Sequence, residues 1–263
     1  MKNIYHKYKK LDNNMRIKKF FVLKNYIDFL KSKFNKRPNI SYSQCGEDLI
    51  VNYAFRHMDI EKPTYLDMGA HHPFHTSNTA LLYKNGSSGV CVEPNPALFK
   101  YIQKKRKRDV CLNVGVGIDP EQKTSDFYIM SSSGLSTFSK SEAERFSKKE
   151  GQKIESIIKV PILPVNKIIS DNFKNKPNFV SIDIEGLDFE VLNSFDFDKY
   201  RPEVFCVETL TYARYTKEQK LNNIIEFMKE KKYFVYADTY INTIFVDNDS
   251  WARENQQPVI KNK

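Results

Sequence analysis

The sequence predicts a doubly wound, mostly parallel α/β sheet closed by a C-terminal antiparallel hairpin strand, with a basic N-terminal helical extension. Three observations carry this. Five short apolar runs, each wide enough for a strand buried on both faces, alternate with segments of helical periodicity. Each run ends in polar residues, as strands do at a ligand-binding edge. Near the C-terminus, "YFVYAD" and "TIFVD" flank the short loop Thr239 to Asn242, the pattern of a hairpin.

In chain order, the extension comes first. Residues 1–37 carry twelve basic side chains against Asp12 and Asp28, which accounts for the whole net charge of +10. The remaining body is balanced, so the charge is no argument for a nucleic-acid-binding domain. Leu23, Tyr26 or Ile27, Leu30 and Phe34 recur at helical spacing up to Pro38, which predicts an amphipathic helix. Such a helix packs on the body or on a second subunit, or meets an anionic membrane surface or an acidic partner. "FFVL" is broken on both sides by Lys, too short for a secretory core, and no run approaches a membrane span. The expectation is a cytoplasmic protein with residues 1–40 as extension and 41–263 as one domain.

The strands are predicted in "TYLDMG" (64–69), "GVCVEP" (89–94), "VCLNVGVG" (110–117), "FVSIDIEG" (179–186) and "VFCVET" (204–209). Helices are expected at 47–58, 76–85, 96–107, 165–173 and 188–195. A further helix opens with Thr216 and Gln219 in capping-box spacing and places Leu221, Ile224, Ile225 and Met228 on one face. Cys45, Cys91, Cys111 and Cys206 form no Cys-x-x-Cys pair, and three lie in strand-like runs, so buried reduced thiols are expected.

The strand ends gather Asp67 with Gly69, Glu93, Asn113, Asp183 with Glu185, and Glu208. After the first strand, "LDMGAHHPFHTSN" has Gly69, but His71 and Phe74 stand where a dinucleotide fingerprint needs two more glycines. A pyrophosphate would meet an imidazole instead of bare backbone, and no Walker motif is present. A nucleoside without pyrophosphate fits better. Glu93 follows Asp67 at about the distance of a ribose-binding acid, which suits S-adenosylmethionine.

"YSQCGEDLIV", "LDMGAHHPFHTSNTALLYKNG", "VEPNP", "LNVGVG", "GLSTF" and "VSIDIEGLDFEVLNSFD", followed by "RPEVFCVET", occur in the order seen in the FkbM family of S-adenosylmethionine-dependent methyltransferases. The chain resembles that family over roughly residues 41–209. The family usually has Asn where His71 stands and a Trp near Ser87, whereas His72 and Pro73 match its pattern.

The resemblance implies a class I, Rossmann-like methyltransferase domain. It also implies a cofactor site built from Gln44, Glu47, Asp67, Gly69, Ser77 and Asn78, with Glu93 on the ribose and Asn113 and Val114 beside the adenine. Asp67 has a purely structural alternative. The implied reaction is O-methylation of a sugar, nucleotide-linked or a glycan precursor for surface polysaccharide. Ser136 and Thr137 are candidate acceptor contacts on a loop that can equally be only a loop.

An alcohol is a poor nucleophile until its proton is removed or a metal polarises it. Asp183 and Glu208 are therefore expected as general base or as ligands for Mg²⁺ or Mn²⁺, with His72 beside the acceptor hydroxyl. The bland alternatives are a Glu208 paired with a Lys and a Glu185 that caps the following helix. His71, His72 and His75 lack the spacing of a zinc site, and His75 is expected to be solvated or to cap a helix. Nucleic-acid methylation is the enzymatic rival, but "SIDIEG" lacks the Pro-Pro-aromatic turn of amino-methylating enzymes. A non-catalytic cofactor-binding protein would need neither Asp183 nor Glu208.

Overall fold

The computed structural model describes residues 40–119, 121–149, 151–184, 186–210 and 220–255. The predicted N-terminal helix, Glu185, and the Thr216 and Gln219 capping pair lie outside them. The described residues from Ser41 onward belong to one compact unit.

The chain runs α1 (Glu47–His57), β1 (Tyr65–Met68), α2 (Ala80–Lys84), β2 (Gly89–Val92), α3 (Pro96–Lys105), β3 (Val110–Leu112), β4 (Gly115–Gly117), β5 (Thr124–Met130) and α4 (Lys140–Lys149). It continues with β6 (Ile154–Pro164), α5 (Val165–Asn172), β7 (Phe179–Ile182), α6 (Asp188–Asn193), β8 (Val204–Glu208), α7 (Asn222–Glu230), β9 (Tyr233–Asp238), β10 (Asn242–Asp247) and α8 (Asn248–Asn255).

Seven strands form the main sheet in the order β3-β2-β1-β7-β8-β10-β9. All neighbours from β3 to β8 pair in parallel, and β10 runs antiparallel between β8 and β9. The expected hairpin therefore inserts its second strand, and β9 becomes the edge.

Because side chains alternate across a strand, β1 sends Leu66 and Met68 to one face and Tyr65 to the other. Leu66, Met68, Val180, Ile182, Phe205 and Val207 pack against Ile168 and Ile169 of α5, Val191 and Leu192 of α6, and Ile224 and Met228 of α7. On the opposite face Tyr65, Phe179, Val204 and Cys206 meet Val51, Ala54 and Phe55 of α1, Leu82 of α2 and Ile102 of α3. Helices cover both faces, which is why these strands read as unbroken apolar runs.

Several expectations are corrected. "VCLNVGVG" is two strands: β3 ends at Leu112, and β4 joins a separate three-stranded sheet in the order β4-β6-β5. β5 and β6, the longest ladder pairing in that sheet, had no counterpart in the sequence reading, nor did α4 and α8. The helix expected at 76–85 starts only at Ala80, after an irregular segment with left-handed backbone at His71 (φ 45°) and Thr76 (φ 49°). All four cysteines are free, yet only Cys91 and Cys206 are buried; Cys45 is exposed.

Candidate active site

The carboxyl ends of β1, β2, β7 and β8, together with the second sheet, enclose a cavity of ≈ 730 Å³. That volume suits a drug-sized ligand. Its polar wall includes Gln44, His71, His75, Glu93, Asp183 and Glu208, and its apolar wall includes Val114, Val116, Phe127 and Phe138.

Glu93 extends from the end of β2 and is 5% exposed. One carboxylate oxygen accepts the backbone N–H of His71 at 2.8 Å and the other that of Asn95 at 2.8 Å. Burial, opposed by these two hydrogen bonds, raises its pKa to about 7. Each oxygen still has a lone pair for a ligand hydroxyl. Val114 lies on the same wall, whereas Asn113 turns away and donates to the carbonyls of Glu93 and Pro94, both at 2.9 Å. Asn113 thus shapes the loop that carries Glu93.

Asp183 directly follows β7 and Glu208 ends the adjacent parallel strand β8; both face the cavity, and hydrogen bonding to Glu208 favours the charged form of Asp183. Burial first, and then the negative charges of Asp188 and Asp67, raise the pKa of Asp183 to about 7. Asp188, itself buried, accepts the backbone N–H of Ile184 and of Gly186, each at 3.1 Å, and so fixes the loop after β7.

Gly69 lines the cavity with φ 82°, and a Cβ built there would lie 1.8 Å from the carbonyl oxygen of Asp183. Its absent side chain is what lets the ends of β1 and β7 close together, a reason unrelated to pyrophosphate.

Not every expected residue reaches the cavity wall. Asp67 is buried beneath it, accepting a 2.5 Å hydrogen bond from Thr79 and facing the guanidinium of Arg106 at 3.9 Å. Arg106, with no exposed surface, also pairs with Asp109 at 2.7 Å and donates to Ser77 at 3.4 Å. Asp67 and Ser77 are thus members of a buried polar network, in line with the structural alternative for Asp67. Asn78 donates to Ser181 at 3.1 Å, and Glu47 points away toward the β9–β10 loop. Ser136 lines the cavity and Thr137 is buried behind it, bridged to Tyr128.

The histidines are rearranged relative to expectation. His72 packs its ring 5.2 Å from that of Tyr101 and stays off the wall, while His71 and His75 line it. His71 has left-handed backbone, and its Nε2 meets the Ser133 hydroxyl, in the turn after β5, at 2.9 Å. Gln152, Tyr240 and Ile241 also line the cavity, and nothing in the local sequence marks them.

Among the described residues no group of three or more His, Cys, Asp or Glu forms a ready metal site, and no helix is long and apolar enough to cross a membrane. The family description "Methyltransferase FkbM domain" matches residues 67–235. No curated protein matches the chain. Among solved structures, the methyltransferase domain of bacterial CtHen1 aligns at 9% identity and TM-score 0.39, covering 78% of this chain and 99% of that one. Precorrin-6y C5,15-methyltransferase from Geobacter metallireducens GS-15 aligns at 12% identity and TM-score 0.35, covering 74% of this chain and 84% of that one.

Proposed function

The chain belongs to the FkbM methyltransferase family and is an S-adenosylmethionine-dependent methyltransferase, and we propose that its acceptor is a sugar hydroxyl. The substrate is a nucleotide-linked sugar or glycan precursor met in the cytoplasm and destined for surface polysaccharide. The observation that supports this is the Asp183–Glu208 pair on the cavity wall, in which burial and neighbouring negative charge raise Asp183 to about 7. An alcohol needs such a base; an acceptor that is already anionic does not.

S-adenosylmethionine supplies an electrophilic methyl group on a sulfonium, which leaves as a neutral thioether when an oxygen attacks in line. Glu93 binds the ribose diol through the lone pairs its two backbone donors leave free. Val114, Val116 and Phe127 offer the flat base an apolar slot. Asp183, with Glu208 beside it, receives the hydroxyl proton as the new C–O bond forms. His71, His75 and Ser136 orient the acceptor, and Gln44 contacts the cofactor. Holding the oxygen in line with the methyl group contributes up to about 7–11 kcal/mol in favourable cases.

Asp183 and Glu208 would also be the residues to hold Mg²⁺ or Mn²⁺, since Mg²⁺ is commonly bound by one or two carboxylates with water and substrate completing its shell. Incubation with methyl-labelled S-adenosylmethionine and nucleoside-diphosphate sugars, with and without EDTA, tests both points. Label is expected in the sugar. Label found only in nucleic acid removes the sugar reading, and transfer undiminished by EDTA removes the metal.

Glu93→Ala is expected to weaken S-adenosylmethionine binding roughly 10- to 100-fold, the worth of a charge-assisted hydrogen bond. Isothermal calorimetry giving the wild-type affinity would refute the ribose assignment.

A further inference from the structure

The three-residue loop joining β9 to β10 places Tyr240 and Ile241 at the same cavity that Glu208 lines. The Tyr240 backbone is left-handed (φ 77°) and the residue is 62% exposed. Turn chemistry at such a position favours Gly or Asn. A bulky aromatic there is a strained choice that the surroundings must enforce, and strain of this kind clusters at functional sites.

The enforcement is visible. The backbone N–H of Tyr240 donates to Asp238 at 2.8 Å, and Lys220 donates both to Asp238 and to the Tyr240 carbonyl, each at 2.8 Å. From the other end of the chain, one oxygen of Glu47 accepts the Thr239 hydroxyl at 2.6 Å and the Asn242 amide at 3.1 Å. Glu47 has no exposed surface and opens α1 in the Ser-Gln-Cys-Gly-Glu-Asp segment. The site chemistry leaves this buried carboxylate unused; the loop accounts for it.

We propose that Tyr240 is the platform on which the acceptor's pyranose ring stacks, and that Glu47 is the positioning residue that holds the platform in place. This rests on the sugar reading above and adds the residue that selects for it. The face of a phenol ring is electron-rich, and the axial C–H groups of a pyranose are weakly positive. Face-on stacking leaves the hydroxyls at the ring edge free to reach Asp183 and Glu208.

The test compares wild type, Tyr240→Asn, Tyr240→Phe and Glu47→Gln on methyl pyranosides and nucleoside-diphosphate hexoses, with unfolding temperature and S-adenosylmethionine affinity measured in parallel. Tyr240→Asn, better suited to a left-handed turn, is expected to unfold at the wild-type temperature or above it. Its acceptor KM should nevertheless rise about tenfold or more, the effect falling on KM and not on cofactor affinity. Tyr240→Phe should retain the wild-type KM, and Glu47→Gln should raise it while cofactor affinity holds.

Equal acceptor KM for wild type and Tyr240→Asn on a sugar that is methylated overturns the platform and leaves the sugar reading standing. A KM raised as much in Tyr240→Phe as in Tyr240→Asn overturns stacking in favour of the hydroxyl. A wild-type KM in Glu47→Gln overturns the positioning role. No sugar methylated by the wild type overturns both the sugar reading and the platform.

Discussion

Asp183→Asn is expected to lower kcat by about 10²- to 10⁴-fold, the usual worth of a general base, while the S-adenosylmethionine affinity measured by calorimetry stays within about twofold. Asn preserves the volume and can still hydrogen-bond Glu208, so the fold and the cofactor pocket have no reason to change. What disappears is the ability to receive the acceptor's proton in the transition state.

The same assignment fixes a pH dependence in the wild type. Burial, reinforced by the charges of Asp188 and Asp67, keeps Asp183 protonated up to about pH 7. A base works only when deprotonated, so kcat should fall about tenfold for each pH unit below that point and level off above it. The limb belongs to the Asp183–Glu208 couple and not to one carboxyl alone, so Glu208→Gln should shift it and Asp183→Asn should remove it. An Asp183→Asn enzyme with the wild-type rate would take this residue out of the mechanism.

Why the position of the pair at the rim was readable, and that of other residues was not, follows from what each depends on. β7 and β8 are buried on both faces, so their apolar runs stand out, and the acids at their carboxyl ends are marked as rim residues by position alone. β5 and β6 mix exposed with buried residues and pair antiparallel in a separate sheet, so the same rule passes over them. Asp67 also follows the rule, yet Arg106 draws it into a buried network. The rule locates the rim without saying which acids face it.

The histidines show a second limit. His72 was the residue expected beside the acceptor, but the rings on the cavity wall are those of His71, where the backbone is left-handed (φ 45°), and of His75. No spacing rule encodes that arrangement. Glu47 shows a third: its motif is legible, but its partners Thr239 and Asn242 lie almost two hundred residues away in sequence. Family resemblance could flag Glu47 as important, and only the fold could say what it holds.

Gly69 is where the fold and the chemistry make the same demand, and Gly69→Ala should show it. The left-handed backbone alone costs a residue with a Cβ about 1–2 kcal/mol. In addition, the new Cβ would sit 1.8 Å from the Asp183 carbonyl oxygen and 2.9 Å from its carbon, both backbone atoms that cannot rotate aside. Overpacking of this kind adds about 1–3 kcal/mol, and at about 2–4 °C per kcal/mol for a domain of this size the unfolding temperature should fall by roughly 4–20 °C.

Relief requires the end of β7 to move away from β1, which carries the Asp183 carboxyl with it, and a displacement near 1 Å can cost about 10² in rate. Gly46→Ala is the matching control: its backbone is equally left-handed at φ 93°, but a Cβ there meets nothing within 4 Å. It should lose only the conformational share of stability. If calorimetry and turnover place the two variants together, the contact between the first loop and Asp183 is not what sets the geometry of the site.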